Sequence, residues 1–65
     1  MDAKAIAQRL VSLRGNKTRA EVANACGVST SALAMYEGGE RIPRDEIKMR
    51  LARFYNVTVE SIFYA

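Results

Sequence analysis

Apolar residues recur along this chain at helical spacing, in short runs that each close on a residue that stops a helix. Ile6, Leu10 and Leu13 fall at i, i+4 and i+7 on one face of a first helix, which Asp2 caps and Gly15-Asn16 ends. Thr18, with Glu21 three residues later, has the form of a capping box: the Thr oxygen accepts from a backbone N–H and the Glu reaches back. The second helix then turns Val22, Ala23 and Cys26 inward and ends at Gly27, a residue suited to the left-handed position behind a helix. Ser29 caps a third helix running to Glu37, with Leu33 and Tyr36 inward and Gly38-Gly39 behind it. After the loop 40–43, Pro43 introduces a fourth helix with Asp45 and Glu46 in its first turn. Ile47, Leu51, Phe54 and Tyr55 recur along it, and Asn56 ends it. Thr58 caps a last short helix bearing Val59, Ile62 and Phe63. No stretch alternates apolar and polar residues for long enough to make a strand. The pattern predicts an all-α fold, a compact bundle of four to five short helices in one domain over residues 1–65.

Residues 18–37 carry the most information. Two short helices meet there across three or four residues around Gly27. So tight a joint needs a small side chain where the helices touch, which is Ala23, and a residue free to turn, which is Gly27. Val28 and Leu33 plug the angle between the helices, with Val22, Cys26 and Tyr36 beneath. Such packing holds the third helix out as a rigid rod whose N-terminus can enter a major groove.

Ala23, Gly27 and Leu33, followed by Tyr36-Glu37-Gly38-Gly39 and Pro43, resemble the Cro/repressor-type (XRE-like) helix-turn-helix family. The later segment LARFYNVTVESIF is similar to the family's fourth and fifth helices, and the likeness spans about residues 3 to 64. The resemblance implies a lambda-repressor-like fold and sequence-specific binding of double-stranded DNA by a transcriptional regulator, a repressor of phage, mobile-element or bacterial origin. It implies that Thr30, Ser31 and Met35 reach base edges, with Ala34 between them on the same face. Ser29 and Arg19 match phosphate-contacting positions, and Arg14 and Glu37 match a structural ion pair joining the first and third helices. Relatives bind as two-fold dimers on half-sites about one helical turn apart.

Hydroxyls can donate to or accept from bases, and apolar atoms of Met35, Ala34 and Thr30 can meet a thymine methyl. The third helix holds no Arg, Gln or Asn for a bidentate base contact. Direct readout is therefore expected to be modest, with more weight on DNA shape. Phosphate clamping falls to the basic residues around the helix: Lys17, Arg19, Arg41 and Arg44.

Composition narrows the alternatives. Hydrophobic residues make up 49 % of the 65, enough for a core and unlike a disordered tail. The net charge of +3 suits a polyanionic partner. Histidine is absent and Cys26 is the one cysteine, which excludes a Cys/His zinc site and an internal disulfide. No metal and no cofactor are expected. A small secreted domain would normally carry several disulfides, so the single thiol makes a cytoplasmic protein the expectation. No apolar run approaches the roughly 20 residues of a membrane span, and the start MDAKAIAQRL is amphipathic. Catalysis needs a converging set of groups that this composition does not offer, so the chain is read as no enzyme. An interaction-only helical module would carry aromatic or Leu anchors on the third helix, where this chain has Thr30, Ser31, Ala34 and Met35.

The remaining residues have structural readings. Cys26 is core packing, and Tyr36 is core with its hydroxyl near the surface. Lys48, Arg50 and Arg53 form the solvated face of the fourth helix. Glu40 is expected to point away from the phosphates. Val57, Val59, Ile62, Phe63 and Tyr64 crowd into eight residues, more than a short terminal helix is expected to bury. Val59, Ile62 and Phe63 are therefore expected to divide between the core and a homodimer contact formed at least on DNA, with Tyr64 at its edge.

Overall fold

The computed structural model describes residues Met1–Ala65. Helices α1 (Ala3–Arg14), α2 (Arg19–Cys26), α3 (Thr30–Glu37) and α4 (Asp45–Tyr55) are followed by α5 (Glu60–Tyr64), a single widened turn with π-type hydrogen bonding. No strand is present.

Each helix ends where its local chemistry ends it. The Asp2 carboxylate accepts from the N–H groups of Lys4 and Ala5 at 3.0 and 3.2 Å. Thr18 and Ser29 cap α2 and α3, accepting from Glu21 N and Ala32 N at 3.1 and 3.0 Å. The expected return bond from Glu21 is missing: its side chain is exposed and makes no hydrogen bond, so only the Thr half of the capping box forms. Gly27 sits in the left-handed region (φ 70°, ψ 33°), and Val28 N–H donates to Ala23 O at 3.0 Å. That six-to-one bond is the Schellman closure, and it turns the chain into α3 within three residues. The same closure recurs behind α4, where Asn56 adopts φ 57° and Val57 N–H donates to Ala52 O.

The core lies where all five elements converge. Ile6 and Leu10 of α1 meet Val22, Ala23 and Cys26 of α2, Leu33 and Tyr36 of α3, Ile47, Leu51 and Ala52 of α4, and Ile62 and Phe63 of α5. α3 packs on both α1 and α2, α4 packs on α2, and α5 closes on α1. α3 is thus wedged along one side, with its opposite side outward.

Two expectations need correction here. Ile62 and Phe63 are 1 % and 2 % exposed, so both lie in the core and leave little surface for the dimer contact expected of them. Both of these consecutive large side chains of α5 face inward. Thr58 Oγ1 and Ser61 tie its start, and Arg9 donates to the carbonyls of Ile62 and Ala65 at 2.7 and 3.1 Å at its end. Of the four residues expected at the interface, only Tyr64 is largely exposed, at 56 %, while Val59 is half-buried.

Lys48 is the second correction. It is only 6 % exposed, not part of a solvated face. Its Nζ donates to Tyr64 Oη at 3.0 Å, stands 3.5 Å from the Asp45 carboxylate, and lies 5.0 and 5.7 Å from the ring centres of Tyr64 and Phe63. The Tyr64 hydrogen bond holds the Lys48 ammonium above its usual pKa against the opposing effect of desolvation. Arg50 is also engaged: it donates to Cys26 O at 3.4 Å and to Glu46 at 2.6 Å, closing the C-terminus of α2.

Candidate nucleic-acid interface

α3 presents the surface that matters. Leu33, Tyr36 and Glu37 turn inward, which leaves Thr30, Ser31, Ala34 and Met35 along the outer side. Thr30 and Ser31 are exposed, and Ala34 and Met35 are half-buried. The hydroxyls of Thr30 and Ser31 make no hydrogen bond within the protein, so both remain available to an external donor or acceptor. The backbone N–H groups of the same two residues are likewise unpartnered, as expected at a helix start. That end of the helix carries partial positive charge and favours an anion.

Basic side chains stand on both sides of this face. Arg41, Arg44 and Arg50 line a groove of about 380 Å³ with Val28, Ser29 and Tyr36, beside the start of α3. Arg41 and Arg44 are exposed and form no ion pair, so their charge is uncompensated. At the other end of α3, Lys17 is exposed, and its carbonyl accepts from Arg14 Nη1 at 2.8 Å. Glu40 is exposed, and its Oε1 folds back over Gly38 at the C-terminal end of α3.

Beneath the face lies a cluster of charge. Glu37 is a buried residue whose side chain has no exposed surface. Arg14 Nε donates to its Oε2 and Arg19 Nε to its Oε1, each at 2.8 Å. The bond to Glu37 raises the Arg14 pKa further. The sequence expectation paired Glu37 with Arg14 and sent Arg19 to phosphate; in the structure Arg19 also grips Glu37. Its side chain remains 48 % exposed. The missed contact joins residues 18 apart with no regular spacing, so periodicity could not reveal it. The available signal was stoichiometric: one inward acid at the end of α3 and two arginines bracketing the α1–α2 link.

Other titratable groups lie in the core. Burial pushes the Cys26 thiol up, consistent with packing and opposed to nucleophilic reactivity. Tyr55 Oη is buried without a hydrogen-bond partner, and burial, with Glu37 adding to it, pushes the phenol up to about 12.

A helix-turn-helix family model matches residues 4–62. No curated protein and no solved structure matches the chain. The matched region takes in all of α2, the turn at Gly27, α3 and α4. With a Schellman turn holding α3 outward, a free hydroxyl face and unpaired arginines beside it, the chain belongs to the Cro/XRE-type helix-turn-helix family of DNA-binding transcriptional regulators.

Proposed function

We propose that α3 enters the major groove of duplex DNA and that Thr30, Ser31, Ala34 and Met35 meet base edges. Ser29, Lys17, Arg19, Arg41 and Arg44 hold the flanking phosphates. One observation carries this reading: the outer face of α3 is small and hydroxyl-bearing, its hydroxyls are unused, and the unpaired Arg41 and Arg44 line the groove beside its start. A surface built to bind protein would place aromatic or Leu anchors there. With no bidentate base-reading side chain on α3, contacts to thymine methyls and DNA shape supply much of the selectivity.

The regulator acts as a repressor, of bacterial, phage or mobile-element origin, in the cytoplasm. Repression needs only occupancy of an operator. The free, buried thiol of Cys26 fits a reducing compartment, and no helix is long and apolar enough to cross a membrane. No group of His, Cys, Asp or Glu is arranged to hold a metal. The operator-bound form is a two-fold dimer, because one recognition helix covers too few base pairs to single out a genomic site. With Ile62 and Phe63 in the core, the contact between protomers rests on Tyr64 and the open side of Val59. So small a patch makes a weak dimer that DNA assembles.

Sedimentation of the parent and of Tyr64→Ala, with and without operator, tests the assembly. Two parent protomers per operator, with weaker pairing in the variant, support it. One protomer per operator would overturn it.

A further inference from the structure

Arg19 occupies the first position of α2 and is held through Nε alone. Its two Nη groups make no hydrogen bond within the protein, and its side chain is about half exposed. A guanidinium fixed by one edge keeps a planar two-pronged end free, the geometry that matches two oxygens of a phosphate. The residue that fixes it, Glu37, is the last residue of α3 and is shielded from solvent.

We infer that Glu37 is a positioning residue for DNA binding: it holds Arg19 as a preformed phosphate fork and ties that fork rigidly to the recognition helix. This rests on the reading of Arg19 as a phosphate contact. A free arginine must lose its rotamer freedom on binding, whereas one already held by a buried carboxylate has lost it on folding. The carboxylate alone would repel a phosphate. Arg14 prevents this by bonding the second oxygen, so the three side chains together carry one net positive charge. Arg14 Nη1 also holds Lys17 O, which fixes the loop that leads into α2. A phosphate gripped by Arg19 is therefore coupled through Glu37 to the pose of α3, and backbone contact sets the register in which Thr30 and Ser31 meet the bases.

The test is a double-mutant cycle on binding to a short duplex of mixed sequence, measured over a salt series. It uses the parent, Arg19→Ala, Glu37→Gln and the double variant, with Arg19→Lys alongside. Circular dichroism fixes a temperature at which each is folded. Arg19→Ala is expected to weaken binding and lower the salt slope by about one. Arg19→Lys keeps the charge and the slope but loses the fixed fork, and its affinity falls roughly two- to tenfold. Removing the Glu37 charge changes the long-range field alike in both backgrounds, so the cycle isolates the positioning effect. Glu37→Gln is expected to be more damaging with Arg19 present than with Ala in its place, by a similar factor. Parent-like binding and slope in Arg19→Ala would remove Arg19 from the interface and overturn the phosphate reading itself. A loss in Arg19→Ala, with Arg19→Lys equal to the parent or with no coupling in the cycle, would overturn the positioning role alone. If Glu37→Gln does not fold, Arg19→Lys decides the matter.

Discussion

Glu37 and Lys48 are both charged and both buried, and each joins elements distant in sequence, yet the protein meets them differently. Glu37 receives two charge-assisted bonds of 2.8 Å from fixed guanidinium groups. Lys48 donates to a hydroxyl at 3.0 Å, lies against two aromatic rings and stands 3.5 Å from the carboxylate of Asp45, which is itself 91 % exposed. Glu37 is fully compensated by ions, whereas Lys48 is accommodated mainly by neutral groups. The first arrangement joins α1 and α2 to α3 through one carboxylate. The second ties down the chain end through α5, a five-residue turn with one aromatic residue still facing solvent. The comparison sets a side that carries α3 and is joined by ion pairs against a side held mainly by neutral groups.

The largest expected effect follows from breaking the ion-paired side. Glu37→Gln leaves two guanidinium groups without their anion and is expected to destabilise the fold by about 3–5 kcal/mol. In a domain of this size that is a large share of the total. A thermal melt that overlays the parent would show the two buried charges to be alike after all.

Next come the residues that the ion-paired side presents. Ser31→Ala or Met35→Ala is expected to change preference at one or two base pairs by about 1–3 kcal/mol while leaving the melt unchanged. Unaltered preference would separate the ion-paired cluster beneath α3 from readout. Arg44→Ala, beside the same helix, is expected to weaken binding uniformly across sequences and to lower the salt slope by about one. A shift in base preference with an intact slope would make Arg44 a base reader instead.

On the Lys48 side the effects shrink. Lys48→Met keeps the volume and removes a charge that the site meets with mostly neutral partners, so its melt is expected at or above the parent's. A marked loss would show that Lys48 is bound as firmly as Glu37. The smallest effect at neutral pH is expected for Tyr55→Phe, which removes a hydroxyl that has no partner. This variant differs in alkali. A phenol raised to about 12 stabilises the folded state fully below its unfolded value of about 10. That stabilisation is lost as pH climbs from there toward about 12. The parent should therefore lose more stability than Tyr55→Phe over this window in pH-dependent denaturation curves.

The helix ends were legible in the sequence because their causes are local. Asp2, Ser29, Gly27 and Asn56 act within a few residues of themselves, and the structure shows each doing so. The inward residues of α2 and α3 were legible for the same reason. What escaped was set through space. Lys48 follows Ile47 in a pattern that reads as the edge of a solvated face, and only the return of the chain from Asn56 covers it. Val59, Ile62 and Phe63 were expected to divide between the core and a two-fold contact, and how fully Ile62 and Phe63 enter the core depends on how α5 closes on α1. Arg19 matched a phosphate position by resemblance, but its bond to Glu37 depends on how α2 crosses α3. The inward residues of α3 could be read from periodicity and its outward positions from the family resemblance, whereas the cluster beneath it could be read from neither.

The central claim is that α3 reads duplex DNA, and selection of bound sequences from a random duplex pool tests it most directly. The account predicts enrichment of a short two-fold-related motif, with half-sites about one helical turn apart, and a changed motif when Ser31→Ala replaces the parent. An unenriched pool, together with no binding to any duplex at low salt, would contradict it.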